Sequence, residues 1–346
     1  MRFDFYPLRF EFIARESLFF PPGKAGNILR GALGVIFRRI ACVPHCRDAR
    51  SCELRDACPY AQIFEPSMAR LVGPRLDAAA GLPPRAELDV SQSRPEKPTP
   101  SGLADWPRPF VFRARHLDGR TVSPGEPFCF DLHVFSLDRD VLAYFVLTFA
   151  ALAREGLGPR RGRADLLRVR TIPVAGVPAQ VLYEQSRQTI ANDLAPASID
   201  LGSGRGHTNR IRVDFLSPTE LKHEHKIAGR PEFPILFGRI RDRISTLRNL
   251  YGSGPLDIDF QATSARAAAV RMTKCQMRRR DTARRSTRTG QSHSIGGFVG
   301  TAEYEGDLAE FLPYLEAARW TGVGRQVVWG KGEISICLTH SITHSG

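Results

Sequence analysis

The chain has 346 residues, 42% of them hydrophobic, which is enough apolar material for two packed cores and argues against wholesale disorder. Lysine and arginine total 49 against 36 acidic residues, and the net charge of +13 indicates a polyanionic partner, either nucleic acid or an anionic membrane. The longest apolar run, 141–153, is too short to span a bilayer, and the N-terminus has no signal-peptide core. We therefore expect a soluble, cytoplasmic protein that binds nucleic acid, with no membrane partner.

The first half of the chain predicts a β-α-β-β-α-β order of elements. The predicted elements are strand 7–15, helix 24–40, strands 109–115 and 126–136, helix 138–155 and strand 166–172. The helices are identified by apolar residues recurring at helical spacing, and the strands by alternation. Residues 67–106, rich in proline and polar residues, are predicted to be a mobile insertion.

The same order recurs in the second half. Its predicted elements are strand 210–215, helix 236–251, strands 265–277 and 293–304, helix 307–317 and strand 333–338. The sequence thus predicts an α+β protein of two tandem ferredoxin-like (RRM-like) domains, at 1–175 and 176–346.

Four of the seven cysteines crowd into one loop, at 42–58. The odd total and the scatter of the other three argue against a secreted disulfide framework. The cluster, Cys42, Cys46, Cys52 and Cys58, is interpreted either as the ligands of one structural metal ion, with zinc first, or as four reduced thiols.

A glycine-rich loop lies between the last predicted helix and the last predicted strand. It contains Gly322, Gly324, Arg325, Gly330, Lys331 and Gly332. Glycines there allow positive φ and bring backbone N–H groups close to a phosphate, and the two cations supply matching charge. A dinucleotide-binding loop is excluded because its glycines would follow a strand and precede a helix. The alternative is a turn whose glycines only let the helix and strand pack.

Two arginine-rich stretches are candidate RNA contacts. The first, at the tip of a predicted hairpin, contains Arg278, Arg279, Arg280, Arg284, Arg285 and Arg288. The second, at 154–170, includes Arg160 and Arg161 beside three glycines, which makes it a candidate second phosphate loop. A solvated charged face is the alternative for both, but arginine stacks on bases and pairs bidentately with phosphate, so we predict RNA contact.

Several of these segments resemble one CRISPR family. The glycine-rich loop, Gly296–Gly300 and Tyr304–Leu308 are similar to the C-terminal half of the repeat-RNA endoribonucleases of the RAMP superfamily, the Cas-six type. The N-terminal half resembles one branch of that family more loosely. Its matching segments are Leu29–Gly34, the cysteines that lead into Cys58–Tyr60, then Phe64–Pro66 and Pro109–Val111.

The resemblance implies tandem ferredoxin-like domains, a CRISPR repeat-RNA or crRNA hairpin as partner, and cleavage without a metal cofactor. The RNA's own 2′-hydroxyl would attack the adjacent phosphorus, so the enzyme supplies a base, an acid and positive charge. The family places these groups in the first helix and the following loop, which here points to His45 as base, with Arg38 or Lys24 stabilising the phosphorane.

Other assignments remain open. His45 lies between two cysteines and is equally a candidate structural or metal-binding residue, and charges on an amphipathic helix are commonly only solvated. His223 and His225 form a second candidate pair, while His293 is expected to be structural. One rival function is a non-catalytic RAMP subunit that carries guide RNA beside other CRISPR effector subunits. Another is a generic RNA- or DNA-binding protein with a zinc knuckle.

Overall fold

The computed structural model describes residues 1–43, 46, 52–66, 106–174, 176–202, 204, 208–224, 226–281 and 296–338, and the backbone of 283–285 and 292–294. The predicted insertion at 67–106 lies outside the described residues except for its last residue.

The first half contains nine strands and three helices in its described part. The strands are β1 (Arg2–Ala14), β2 (Leu18–Phe19), β3 (Phe110–Arg113), β4 (Thr121–Val122), β5 (Pro127–Val134), β6 (Ala164–Thr171), β7 (Val181–Glu184), β8 (Thr189–Ile190) and β9 (Ala197–Asp200). The helices are α1 (Ala25–Ala41), α2 (Pro59–Phe64) and α3 (Asp140–Glu155).

The first sheet is antiparallel and runs β3-β5-β1-β6-β7-β8, with β9 also paired to β1. Its β3-β5-β1-β6 part has the ferredoxin-like order. Helix α1 buries Leu29, Leu33 and Phe37 in the same core as α3. Aromatic rings fill that core: the ring centroid of Phe149 on α3 lies 4.9 Å from that of Phe130 on β5.

The second half repeats this plan with its own elements. The strands are β10 (Arg210–Thr219), β11 (Lys222–His223), β12 (Lys226–Ile227), β13 (Arg271–Arg280), β14 (Ala283–Arg285), β15 (Ser292–Ser294), β16 (Gly297–Glu305) and β17 (Ile334–Leu338). The helices are α4 (Phe233–Tyr251), α5 (Phe260–Ala269) and α6 (Leu312–Thr321). The main sheet runs β13-β16-β10-β17, all antiparallel, with α4 and α6 in its core. The prediction of two tandem ferredoxin-like domains is confirmed.

One predicted strand is partly wrong. Residues 260–269 form helix α5, and the strand predicted over 265–277 begins only at Arg271. The Asp259 side chain caps α5 by accepting hydrogen bonds from the N–H groups of Gln261 and Ala262, both at 2.9 Å. This cap and the alanine-rich sequence favour a helix, and they outweigh the short apolar alternation that indicated a strand.

The first sheet also extends beyond the predicted end of its domain. Strands β7, β8 and β9 follow residue 175 and belong to it, so the predicted boundary at 175/176 precedes the last strands of the first sheet. Strand β1 enters both cores, because Phe10 lies in the first core and Phe5 in the second.

The C-terminal end of α6 is anchored to the first sheet. Arg113 of β3 donates to the Arg319 carbonyl at 3.2 Å, and His133 of β5 donates through Nδ1 to the Trp320 carbonyl at 2.9 Å. Both side chains are buried, and burial lowers the pKa of His133 to about 4, so the imidazole is neutral at pH 7. The last carbonyls of a helix have no partner inside it, and these contacts satisfy two of them. These contacts therefore fix the position of the residue at which the segment after α6 begins.

Among the described helices, none combines the length and apolar character needed to cross a bilayer.

Candidate nucleic-acid interface

A cleft opens where the two halves meet. Its volume, with its open mouth, is about 420 Å³, and it is lined by residues from five separate segments, one of them the end of β10 at 216–218. Gly23 and Gly26 come from the start of α1, Arg115 from the turn after β3, Arg280 from the end of β13, and Lys331 from the glycine-rich loop. We call this site the junction cleft.

Lys331 is the most constrained cation of the junction cleft. Its side chain is only 6% exposed, and its Nζ donates to the Gly23 carbonyl at 3.2 Å. Burial lowers the pKa of Lys331, the Asp118 carboxylate opposes that shift, and Arg280 adds to it. A buried ammonium with few compensating partners favours an anionic ligand.

The start of α1 is fixed against the glycine-rich loop. The Ala25 N–H donates to an Asp118 carboxylate oxygen at 2.9 Å. A Cβ at Gly26 would lie 2.7 Å from the Trp329 carbonyl oxygen, so only glycine allows this approach. Sequence reasoning missed Arg115, Asp118 and Gly26 as site residues, because no motif joins them and only the fold brings them together.

The glycines of the loop pack mainly against the protein itself. A Cβ at Gly324 would lie 2.4 Å from the Glu220 carbonyl oxygen, and one at Gly332 would lie 2.0 Å from that of Val323. The N–H groups of Gly322, Gly330 and Gly332 donate to carbonyls within the chain. The packing alternative thus accounts for these glycines, and contact between their amides and RNA stays a prediction. Arg325 pairs with Glu220 at 2.5 Å and lines no part of the cleft, so the charged group that the loop gives to the cleft is Lys331.

The arginine-rich hairpin begins in β13, an edge strand. Arg279 pairs with Asp281 at 3.0 Å, whereas Arg278 and Arg280 are exposed. The backbone of Arg284 and Arg285 continues the hairpin as β14 paired with β15, which contains His293. Arg288 lies outside the described residues.

Arg160 and Arg161 are exposed but do not line the junction cleft. The Arg160 guanidinium lies 5.7 Å from the Phe19 ring centroid, and Arg161 adopts φ of 52°. A Cβ at Gly156 would lie 2.2 Å from the Arg161 carbonyl oxygen. The second predicted phosphate loop is therefore a tight, well-packed turn whose contact with RNA remains a prediction.

The three predicted catalytic residues do not all lie together. Lys24 is exposed and precedes the first residue of α1, whereas Arg38 is in its last turn. At about 1.5 Å per residue the two positions are about 21 Å apart along the helix, so they cannot act on one phosphate. Arg38 Nη2 donates to the Cys46 carbonyl at 2.9 Å, which places it beside the cysteine loop. His45 lies outside the described residues, as does His225, and His223 is exposed beside Glu224 at 3.7 Å.

The cysteine loop joins α1 to α2. The Sγ atoms of Cys42 and Cys58 are 4.0 Å apart, and all four thiols of the loop are half-buried. Burial and the neighbouring thiols of Cys58 and Cys46 raise the pKa of Cys42 to about 12. Within the described residues, no three histidine, cysteine or acidic side chains are placed closely enough to form a complete metal site.

Two ferredoxin-like domains with a basic cleft at their junction are typical of an RNA-binding protein. The sequence profile of the family described as CRISPR-associated endoribonuclease Cas6 matches residues 213–334. A second profile, described as the N-terminal domain AF_1859_N, matches residues 3–195. The second half of the chain therefore contains a CRISPR-associated endoribonuclease Cas6 domain, which confirms the resemblance found in the sequence.

Solved structures share the fold. A Cas6 from Thermus thermophilus, in its product complex, matches with a TM-score of 0.51 at 15% identity, covering 97% of this chain and 100% of that one. The structure titled "Partial Cas6-RT-Cas1--Cas2 complex" matches with a TM-score of 0.50 at 11% identity, covering 99% of this chain and 47% of that one. No curated protein matches the sequence.

Proposed function

We propose that the protein binds CRISPR repeat RNA across the junction cleft and cleaves it by attack of the RNA's own 2′-hydroxyl. The observation that carries RNA binding is the convergence of Lys331, Arg280 and Arg115 on one cleft between the two halves. Three cations, one of them buried, are suited to a backbone phosphate, and the hairpin that begins with Arg280 extends the basic surface.

The proposed chemistry needs no external oxidant or metal. The 2′-oxygen forms a bond to the adjacent phosphorus, the bond from phosphorus to the 5′-oxygen breaks, and a 2′,3′-cyclic phosphate and a 5′-hydroxyl result. One proton leaves the 2′-hydroxyl and another reaches the departing 5′-oxygen, so a base and an acid suffice. We assign the base to His45 and the stabilisation of the phosphorane to Arg38, which lies beside the same loop.

In this proposal, RNA binding and RNA cleavage take place at opposite ends of helix α1. The junction cleft contacts the first turn of α1, and Arg38 lies in the last. A separation of about 21 Å corresponds to about six nucleotides at the stacked spacing of about 3.4 Å per nucleotide of one strand. The phosphate in the cleft is then several nucleotides from the scissile one. Lys331 and Lys24 belong to binding, and His45 and Arg38 to cleavage.

The proposal is tested by incubating the protein with the repeat RNA of its own locus in excess EDTA and mapping the product ends. We expect cleavage with a 2′,3′-cyclic phosphate, and loss of cleavage when the nucleotide before the scissile phosphate carries 2′-deoxyribose. Cleavage of the deoxy substrate would overturn the 2′-hydroxyl mechanism. Tight binding without any cleavage of the all-ribose RNA would instead identify a non-catalytic carrier of guide RNA.

A further inference from the structure

The cysteine loop is held at both ends by packed helices. Helices α1 and α2 contact each other through aromatic rings, and the ring centroids of Phe37 and Phe64 lie 5.3 Å apart. A Cβ at Gly34 would lie 3.3 Å from the Phe64 ring, so a glycine in α1 permits this close approach. Cys42 directly follows α1 and Cys58 directly precedes α2, so the contact between the helices fixes the distance between these two residues.

That distance suits two ligands of one metal ion. The Sγ atoms of Cys42 and Cys58 are 4.0 Å apart. Two thiolates at about 2.3 Å from a tetrahedral zinc ion lie about 3.8 Å from each other, whereas disulfide-bonded sulfurs lie about 2.05 Å apart. The Cys46 thiol is one of the smaller causes of the raised pKa of Cys42. Two sulfurs of the loop therefore already lie at the spacing of two ligands of one ion.

The fourth cysteine, Cys52, begins a segment that turns twice before it reaches Cys58. The N–H of Arg55 donates to the Cys52 carbonyl at 3.1 Å, and that of Cys58 donates to the Arg55 carbonyl at 3.2 Å. These two successive turns fold the chain between Cys52 and Cys58. No three of these described sulfurs are close enough together to form a complete metal site. Cys46 and Cys52 therefore have to move towards Cys42 and Cys58 when an ion binds.

The described part of the loop is held by hydrogen bonds, such as those from Arg38 to the Cys46 carbonyl and from Arg55 to the Glu65 carbonyl, but not by a hydrophobic core. From Cys52 to Ala57 every residue is exposed or half-buried, and none belongs to either hydrophobic core. A segment without a core of its own is commonly stabilised by a disulfide or a metal ion. We propose that Cys42, Cys46, Cys52 and Cys58 together bind one zinc ion, which ties the end of α1 to the start of α2. This inference does not depend on the proposed RNA cleavage.

The test measures metal directly. The full chain is purified without chelators, and its zinc content is determined by elemental mass spectrometry. Substitution of cobalt(II) then reports the coordination by absorption. We expect about one zinc ion per chain and the visible bands of a tetrahedral thiolate cobalt site. Cys58→Ser should lose most of the bound metal, whereas Cys129→Ser, a cysteine of β5 outside the loop, should retain it.

A second cysteine variant and two possible results determine whether the zinc site exists. If Cys58→Ser fails to fold, Cys52→Ser gives the same comparison at a position outside the contact between α1 and α2. Less than a third of an equivalent of any metal in the purified chain, with all four thiols reacting as reduced groups, would overturn the zinc site. A Cys42–Cys58 disulfide found by peptide mapping under non-reducing conditions would overturn it in favour of a redox pair.

Discussion

The two ends of α1 differ in how completely the protein builds them. At the first turn, contacts from segments far apart in the sequence fix Ala25, Gly26 and Lys331 and shape the junction cleft. At the last turn, Arg38 contacts a loop that has no core of its own. The residues proposed to bind phosphate are thus fixed by packing, whereas the residues proposed for chemistry depend on a short loop between two helices. Four predictions test this difference.

The largest effect is expected at the loop end of α1. His45→Ala should lower kcat by about 10²–10⁴-fold, because a positioned base contributes that much, and should leave KM nearly unchanged. Single-turnover cleavage of repeat RNA at saturating protein measures the change. The matched control is His223→Ala, an exposed histidine far from α1 in sequence, which should cleave normally. Unchanged cleavage by His45→Ala would remove this residue from the mechanism.

Acid should weaken the anchor that precedes the glycine-rich loop. The folded pKa of His133 is about 4, below the ordinary value near 6.5, so the folded protein holds this imidazole neutral. Its contribution to stability is complete above pH 6.5 and is lost as the pH falls towards 4, by up to about 3 kcal/mol. Urea unfolding between pH 4 and 7 measures the loss.

The control for this loss replaces the imidazole with a donor that does not titrate. His133→Asn retains a donor for the Trp320 carbonyl and should flatten the dependence on pH between 4 and 6.5. His223→Asn, at an exposed site, should not. If the stability of His133→Asn still falls between pH 6.5 and 4, other groups cause the acid sensitivity.

The end of α1 at the junction cleft should control the affinity for RNA rather than the rate of cleavage. Lys331→Met keeps the length of the side chain and removes its charge, so we expect RNA to bind about 10–100-fold more weakly, the equivalent of one charge-assisted hydrogen bond. At saturating RNA, kcat should stay the same. Arg325→Met is the control in the same loop, because that side chain pairs with Glu220. A fall in kcat without weaker binding would contradict the division of tasks along α1.

The smallest effect per residue is expected in the hairpin. Replacing Arg279, Arg280, Arg284 and Arg285 with alanine should make the dependence of log affinity on log salt shallower, by about 0.7–0.9 for each phosphate that the variant no longer neutralises. Equilibrium binding at several salt concentrations measures the slope. Arg168→Ala in the first sheet, where Arg168 pairs with Glu184 at 2.9 Å, is the control and should leave the slope unchanged. If the slope is unaltered in the hairpin variant, these arginines are solvated and neutralise no RNA phosphate.

Sequence reasoning identified the elements better than the site. The tandem domains could be predicted because the order of strands and helices repeats and each half carries its own apolar pattern. Lys331 was selected for its charge beside glycines, but its burial against Gly23 depends on a contact between residues more than 300 positions apart. Arg115 and Asp118 lie in a turn that carries no chemical motif, so their approach to Lys331 could not be predicted.

The differences between the prediction and the structure also have local causes. The segment at 265–269 was predicted as a strand because the cap provided by Asp259 lies outside the alternating stretch. The short strands β7, β8 and β9 carry too few residues to show a pattern, and they are recognised only by their pairing with the first sheet. The glycines of the loop were recognised, but sequence reasoning could not distinguish close approach to RNA from close approach to Glu220 and Val323.

Strand β1 has a consequence for how the chain is made. Phe5, near the start of β1, belongs to the second core, and its ring centroid lies 5.2 Å from that of Trp320 on α6. The ribosome synthesises Phe5 more than 300 residues before Trp320, and at about 5–20 residues per second the interval is tens of seconds. During that interval the first ferredoxin-like domain can fold around Phe10, while the beginning of its central strand still lacks its partner. Completion of the second core therefore waits until Trp320 has been synthesised, and until then the nascent protein exposes an aromatic strand end that a chaperone can bind.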